Sequence, residues 1–320
     1  MSKPLQVAIA VLLVGALLFW VTDPHEIWLT LNRLDVRWAL VAVLIITADR
    51  LFMTYKWLGL LAARGHTLSV FEGTALYCNA MLWGMALPTT VGADTVRTLS
   101  LRKRGVPLPD AISSILVERA IGFLSAMAMA LVALLALRHW LPGYATFWPW
   151  FLAGGIFFSA AILVFVLSFS PRAFDMLEKI VPSRWHDLSV MRKLKSLHEA
   201  YRSLRTGPGV LLRFTAMTFL QQLIPIPLNW AVARALGIDI PLIVLLGVLP
   251  LTLLVSRLPV TVEGIGVFEG AFVALLSQAG VHPAQAVAIA LTSRALFIVT
   301  LLPWWLMHGI RSGWLRPRIL

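Results

Sequence analysis

The chain has 320 residues, of which 59% are hydrophobic and only 13% charged, with a formal net charge of +12. A soluble globular protein is about half apolar and about a quarter charged, so this composition excludes a soluble protein and predicts an integral membrane protein. The single cysteine, Cys78, excludes an internal disulfide and a cysteine cluster for a metal. The basic residues fall in short loops, where they set orientation and meet anionic lipid, so nucleic acid is not expected as a partner.

Six apolar runs follow one another along the chain, and a crossing of the bilayer needs about 20 residues. They cover residues 5–21, 38–61, 108–137, 147–169, 209–236 and 282–308. The first run could pass for a signal peptide, but no small-residue cleavage site follows it. We interpret all six as full transmembrane helices.

Two further segments each contain a break between two short helices. In residues 70–104 the break is marked by Pro88 and Gly92, and in residues 242–279 by Pro259, Gly264 and Gly266. The positive-inside rule places the basic loops in the cytoplasm together with both termini. These loops are 62–69, 92–107 and 171–206. Each segment must then leave the membrane on the side where it entered, which predicts two re-entrant helical hairpins. The alternative is eight plain spans with a weak charge bias.

Part of the sequence occurs twice. Gly105 precedes Arg119 by fourteen residues, and Gly280 precedes Arg294 by the same number. The predicted fold is therefore all-α and polytopic, with about six full crossings and two re-entrant hairpins in a single integral membrane domain, 1–320. Repeat one covers about 5–137 and repeat two about 147–308, and the odd number of crossings in each makes them inverted, as in many transporters.

Residues 171–206 form a basic connector between two crossings of the second repeat. Apolar residues recur in it at helical spacing, and the basic residues lie off that stripe. This pattern is typical of an amphipathic helix on the cytoplasmic leaflet. A solvated basic connector is the alternative.

Several charged residues lie within the apolar runs. At 1.5 Å per residue, Asp49, Arg50, Glu118, Arg119 and Arg294 are all roughly 16–18 Å from a helix end, near the middle of the bilayer. A charge at that depth costs about 2.5–3.5 kcal/mol on insertion scales, so such residues are normally partnered and functional.

Two interpretations of these charges stay open. Asp49 or Glu118 could pair with Arg119 and simply hold helices together. Alternatively the arginines bind a ligand anion, because a guanidinium donates two hydrogen bonds to one phosphate. The second is favoured because the arginine recurs in both repeats, whereas Ser293 stands in the place of Glu118.

The hairpin tips would add to an anion site. A helix that begins at a break presents free N–H groups and a positive dipole end. Asp94, Arg97 and Glu269 come just after these breaks. Asp94 could instead only cap its own helix.

These residues together resemble the lysylphosphatidylglycerol synthase transmembrane-region family, the flippase-like membrane domain of multiple peptide resistance factors. The resemblance covers roughly residues 30–310. It is carried by the motifs Pro88…Gly92-Ala-Asp94-x-x-Arg97, Glu118-Arg119-x-x-Gly122, Pro259…Gly264-x-Gly266-x-x-Glu269 and Arg294. The family pattern often has a second glycine where Ala93 stands here.

The resemblance implies a lipid flippase, here a stand-alone member without the synthase domain, in a bacterial inner membrane. It would move a phospholipid or an aminoacyl-, glyco- or hopanoid-type lipid by alternating access, with an anionic phosphate held by arginines. The expected substrate-site residues are Asp49, Arg50, Asp94, Arg97, Glu118, Arg119, Glu269 and Arg294, and the expected hinges are Pro88, Gly92, Pro259, Gly264 and Gly266.

No enzyme motif, metal site or cofactor is expected, because the chain has no P-loop, zinc-protease or nucleophile-elbow signature. Two alternatives remain: an intramembrane enzyme that uses Glu118 or Asp49 as acid or base, and a non-catalytic partner that docks a cytoplasmic lipid-synthesising enzyme through residues 171–206. Proton coupling through the buried carboxylates, a homodimer and the identity of the lipid are left open.

Overall fold

The structure is a computed structural model, and it describes residues 3–18, 22–86, 92–137, 144–170, 189–203, 208–258, 260–261 and 264–311. This part of the chain is all helical. In order, the helices are α1 (Lys3–Ala16), α2 (Pro24–Leu31), α3 (Val36–Ala62), α4 (Val70–Ala86), α5 (Gly92–Lys103), α6 (Leu108–Leu137), α7 (Tyr144–Ser168), α8 (Ser189–Ser203), α9 (Pro208–Leu223), α10 (Pro225–Ala235), α11 (Leu242–Ser256), α12 (Val267–Gln278) and α13 (Pro283–Arg311).

Four stretches of the described chain are long and apolar enough to cross a membrane: Leu108–Leu135, Phe151–Ser168, Gly209–Ala235 and Pro283–Met307. The protein is therefore a polytopic α-helical membrane protein, as predicted. α3 has 27 residues and is about 40 Å long, which also suffices for a crossing. α1 has only 14 residues, and the end of the predicted run 5–21 lies outside the described residues.

The third of these stretches is interrupted by proline. α9 ends at Leu223 and α10 begins at Pro225, and Pro225 and Pro227 have no N–H to donate to the preceding turn. Ile224 keeps helical dihedral angles at the joint, so the two helices still run on from one another.

The basic loops meet at one end of the bundle. Arg64, just after α3, contacts Asp110 in the first turn of α6, with 2.7 Å between Nη2 and Oδ1. His66 Nε2 lies 2.7 Å from Asp110 Oδ2, and Arg64 Nη1 also donates to Ser203 Oγ in α8. Loop 62–69, the start of α6 and the end of α8 therefore share one face, which we call the basic face. Its cytoplasmic orientation stays a prediction.

Each predicted hairpin is a pair of helices that packs closely, α4 against α5 and α11 against α12. In the first pair the helices approach at Gly84, where an added Cβ would lie 2.5 Å from the backbone nitrogen of Ala93. In the second pair, Gly264 and Gly266 have positive φ angles of 69° and 83°, a conformation that glycine adopts without strain. Pro88 and Pro259 lie outside the described residues.

The second helix of each pair is short. α5 and α12 have 12 residues each, about 18 Å, which is less than the roughly 30 Å core of a bilayer. The alternative of eight plain spans stays open. Re-entry of the pairs into a membrane stays a prediction.

The two halves pack in a reciprocal way. α6 packs against α11, and α13 packs against α4, so that the long helix after each hairpin contacts the first helix of the other hairpin. The turns before these long helices also match: Gly105 and Gly280 have φ angles of 84° and 86°. The following residues close the turns with equivalent bonds, from Val106 N to Leu101 O at 3.2 Å and from Val281 N to Leu276 O at 3.1 Å.

The connector is described only from residue 189 to residue 203. There it forms α8, which packs on α6, and Tyr201 stacks on Phe169 with ring centroids 4.4 Å apart. The two interpretations of the connector, as a helix on the leaflet and as a solvated link, both stay open. Residues 171–188 and 204–207 lie outside the described residues.

Candidate functional site

Residues from both halves line one cavity of about 150 Å³. It lies between α4, α5, α6 and α13. The residues that line it are Tyr77, Met81, Ala93, Asp94, Arg97, Arg119, Arg294 and Phe297. The structure therefore brings together Arg119 and Arg294, the two arginines that recur in the sequence, and it places Asp94 and Arg97 beside them.

Each of the two recurring arginines is held by a carboxylate 25 residues before it. Arg119 donates from Nε to Asp94 Oδ2, and Arg294 donates from Nε to Glu269 Oε1. Asp94 and Glu269 both lie in the first turn of their helices, α5 and α12, where the helix dipole favours a negative charge. In the alternative interpretation of the sequence, Asp49 or Glu118 could pair with Arg119, whereas the structure has Asp94 in that position.

The terminal amino groups of these two arginines have no hydrogen-bond partner among the described residues. The Arg119 side chain is 55% exposed and that of Arg294 25%. A carboxylate bound at Nε orients the guanidinium and leaves the two terminal groups for another acceptor. Such a pair of donors suits the oxygens of a phosphate.

Arg97 has a different environment. It is almost completely buried, and its Nη2 lies 2.6 Å from Glu118 Oε2. Its guanidinium carbon is 4.3 Å from the centroid of Trp57 and 4.1 Å from that of Tyr77, distances at which a cation is attracted to an aromatic ring. These four residues come from α3, α4, α5 and α6, so they join the helices of the first half.

Both oxygens of Glu118 have partners. Oε2 accepts from Arg97, and Oε1 accepts from the Tyr77 hydroxyl at 3.0 Å. An ionised carboxylate is the form that accepts two such bonds. Glu118 therefore serves as the counter-ion of Arg97, and this geometry gives no support to its use as a general acid.

Asp49 and Arg50 do not line the cavity. Asp49 Oδ1 accepts from Gln221 Nε2 at 3.0 Å. Arg50 is buried against Phe297, with its guanidinium carbon 3.8 Å from the ring centroid, and Nη1 donates to Met81 Sδ at 3.1 Å. Because Phe297 and Met81 both line the cavity, they separate Arg50 from it.

Arg50 is incompletely satisfied in this position. Its Nε and Nη2 are buried and have no hydrogen-bond partner among the described residues. A buried charge without a hydrogen-bonded counter-ion is destabilising. Arg50 is thus a cation one layer behind the cavity that could accept an anion if Phe297 or Met81 moved.

The N-terminus of α12 already has its anion. Glu269 Oε2 accepts from the N–H of Gly266 at 2.6 Å, while its other oxygen accepts from Arg294. One N–H group at the N-terminus of α12, that of Gly266, is therefore already bonded within the protein, and the binding of a ligand at the hairpin N-termini stays a prediction. Gly92, the expected hinge of the first hairpin, is buried as the first residue of α5.

Sequence reasoning missed part of the site. Tyr77, Met81 and Phe297 line the cavity but belong to apolar runs, where nothing distinguishes them from core residues. Phe297 comes one helical turn after Arg294, which is the only signal in the sequence that could have found it. Among the described residues no group of side chains could hold a metal ion.

Comparison with known proteins agrees with this architecture. Residues 6–303 match the family described as "Lysylphosphatidylglycerol synthase TM region". A UPF0104 membrane protein from Methanothermobacter thermautotrophicus is 22% identical over 314 residues, which covers 91% of this chain and 89% of that protein. No solved structure matches. Since the family match spans nearly the whole chain, the protein belongs to the lysylphosphatidylglycerol synthase transmembrane-region family.

Proposed function

We propose that the protein is a lipid translocator, which binds the phosphate of a phospholipid or lipid-linked head group and moves it between leaflets. The phosphate binds in the cavity lined by Arg97, Arg119 and Arg294, which we call the three-arginine cavity. Membership of a family of lipid-related membrane domains supports this function. The observation that carries it is a pair of arginines, Arg119 and Arg294, one from each half, that line the same cavity. Each is held by a carboxylate at Nε, and its terminal amino groups have no hydrogen-bond partner in the part of the chain that the structure describes.

The two carboxylates prepare the site for an anion. Asp94 and Glu269 neutralise Arg119 and Arg294 while the cavity is empty, which lowers the cost of keeping arginines at this depth. They also hold each guanidinium in place, so little side-chain entropy is lost when a phosphate binds. Charge-assisted hydrogen bonds to the phosphate contribute about 1.5–3 kcal/mol each.

The architecture supplies a route for transport. We propose that the two halves are inverted repeats and that each pair of hairpin helices is re-entrant, with the basic face in the cytoplasm. Because α6 packs on α11 and α13 on α4, rocking of these contacts would open the cavity to one leaflet at a time. Arg50, behind Phe297 and Met81, would then give the phosphate a further cation during the movement.

The test is lipid scrambling in proteoliposomes. The purified protein is reconstituted into vesicles of phosphatidylethanolamine and phosphatidylglycerol that contain NBD-labelled phosphatidylglycerol, and dithionite bleaching reports the exchange between leaflets. We expect Arg119→Gln and Arg294→Gln each to lower the rate by about tenfold or more, since the loss of one charge-assisted bond is worth at least about 1.4 kcal/mol. The double variant should reach the rate of protein-free vesicles.

The matched control is Arg234→Gln. Arg234 also forms an ion pair, with 3.0 Å between Nη2 and Asp239 Oδ1, but at the surface of the protein and away from the cavity. It should scramble at the rate of the unchanged protein. A double variant that folds, as judged by its thermal unfolding, and still scrambles at the full rate would refute the site.

A further inference from the structure

A second cavity in the described part of the protein is separate from the three-arginine cavity. It has a volume of about 280 Å³ and lies between α3 and α9, beside the loop that leads to α4. Its walls are mostly apolar, and two cations, Lys56 and Arg213, contribute to the lining. No carboxylate is among its lining residues. We call it the α3–α9 pocket.

Lys56 is buried without a carboxylate partner. It is 6% exposed, and its one hydrogen bond to a described residue runs from Nζ to Thr218 Oγ1 at 3.0 Å. The ammonium has three N–H donors, so two of them remain for other acceptors. Nζ also lies 5.0 Å from the ring centroid of Phe214. An ammonium taken out of water is destabilising without a compensating anion, and Glu118 and Asp49 interact with Lys56 only through longer-range electrostatics, without an ion-pair contact.

Arg213 marks the rim of the same pocket. Its Nη2 donates to the Tyr55 hydroxyl at 2.5 Å, and its side chain is exposed. Lys56 comes six residues before the end of α3, and Arg213 comes five residues after the start of α9. At 1.5 Å per residue both are roughly 8–9 Å from the basic face. The two cations therefore lie at one level, close to the boundary between head groups and acyl chains.

The pocket also has apolar walls. Phe214 lies at the level of the two cations and Met217 lies below it, whereas Leu58, Val210 and Leu68 lie between that level and the basic face. Gly59 lines the pocket as well, and a Cβ added to it would have no heavy atom within 4 Å. A cavity that combines two cations with apolar walls matches an anionic amphiphile, since a soluble anion would gain nothing from the apolar walls.

We propose that the α3–α9 pocket is a second lipid site, which binds the phosphate of an anionic phospholipid from the leaflet at the basic face. Lys56 and Arg213 hold the phosphate, and the first acyl segments lie against Phe214 and Met217. The site shares no lining residue with the three-arginine cavity. It does not depend on transport, so the two proposals stand or fall separately.

Native mass spectrometry of the delipidated protein tests this site. Phosphatidylglycerol is titrated into the Arg119→Gln/Arg294→Gln double variant, in which the three-arginine cavity is disabled. We expect one phosphatidylglycerol to remain bound. Adding Lys56→Met, which keeps the length of the side chain but removes its charge, should weaken binding by about tenfold or more, the equivalent of about 1.4 kcal/mol.

Gly59→Phe provides a second route to the same result, because it fills the pocket and leaves both cations in place. Its matched control is Gly155→Phe, at another glycine whose Cβ would meet no heavy atom within 4 Å, and this variant should bind normally. Diacylglycerol and glycerol 3-phosphate should both bind at least tenfold more weakly than phosphatidylglycerol. Unchanged binding in Lys56→Met and Gly59→Phe would overturn the proposal, as would equal binding of diacylglycerol, which lacks phosphate, or of glycerol 3-phosphate, which lacks acyl chains.

Discussion

The two hairpin–helix units of this protein, α4–α5–α6 and α11–α12–α13, share one ion pair and differ in another. Asp94–Arg119 and Glu269–Arg294 have the same sequence separation and the same Nε contact. The first unit adds the pair Arg97–Glu118.

The second unit has no such pair at the corresponding positions. Phe272 stands in the place of Arg97 and is fully buried. Ser293 stands in the place of Glu118 and donates to Asn229 Oδ1 at 3.0 Å.

This difference separates two roles for an arginine within these helices. The shared pair recurs in both halves and leaves donor groups at a common cavity, which is what a ligand site between two halves requires. In the extra pair, Arg97 lies against Trp57 and Tyr77 and donates to Glu118. We therefore propose ligand binding for Arg119 and Arg294, and the joining of four helices for Arg97.

The largest expected effect comes from breaking the extra pair. Glu118→Ser should lower the free energy of unfolding by about 3 kcal/mol, because the buried Arg97 loses its hydrogen-bonded counter-ion and keeps only the longer contact of 3.8 Å between its Nη1 and Asp94 Oδ1. Arg97→Phe should lower the free energy of unfolding by a similar amount, since it leaves the Glu118 carboxylate without its cation. The double variant, which copies the second unit into the first, should recover at least half of this loss. Denaturant unfolding in detergent measures all three variants as a double-mutant cycle.

The same double variant tests the division of roles. If Arg97 serves stability alone, the double variant should keep scrambling activity within about threefold, while Arg119→Gln in the same background should lose it. A stable double variant without activity would move Arg97 into the ligand site. Additive losses of stability in the cycle would show that the two side chains do not act as a pair.

An intermediate loss of stability should follow when a methyl group is added at the glycines where the backbone of each hairpin packs closely. Gly84→Ala would place its Cβ 2.5 Å from Ala93 N, and Gly264→Ala would place its Cβ 2.8 Å from Ser256 O at a φ of 69°. Each should cost about 1–3 kcal/mol, since neighbouring backbone must move. Thermal unfolding measures the loss. Gly155→Ala, which has open space around its Cβ, is the control and should be neutral or stabilising, and an equal effect at all three positions would contradict the close packing of the hairpins.

The smallest expected effect distinguishes the two carboxylates of the shared pair. Glu269 reaches both Gly266 N–H and Arg294 Nε, and the shorter side chain of Glu269→Asp cannot span both. Loss of the cap should cost about 0.5–2 kcal/mol. Asp94→Glu should change stability by less, because Asp94 has no equivalent bond to a preceding N–H among the described residues. Equal midpoints of thermal unfolding for the two variants would show that the cap on α12 contributes nothing.

Much of the architecture was accessible before any coordinates. The apolar runs predicted the helices, Gly264 and Gly266 marked the start of α12, and the recurrence of Arg119 and Arg294 predicted that both would meet at one cavity. These features depend on local composition or on spacing along the chain. The expected depth of the two arginines in a membrane follows from the helical rise per residue alone.

Contacts between helices were less accessible. The sequence indicates Asp94 as a helix cap or a site residue but not as the partner of Arg119. It predicts Arg50 in the site, although Phe297 and Met81 cover it. Nothing in the sequence distinguishes Lys56 within its apolar run. A rotation of one helix by a single residue, about 100°, changes which side chain faces a neighbour, and no pattern within one helix reports that rotation.

The amino-acid order alone therefore predicted a membrane protein with two related units and an arginine within an apolar run of each, because hydropathy and repetition are properties of the chain. Only the packed structure decided that Asp94 and Glu269 hold those arginines by Nε, that Glu118 belongs to Arg97, and that Lys56 faces a second pocket. These are choices among several nearby partners of similar chemistry, and they are made by distances of a few ångströms between helices.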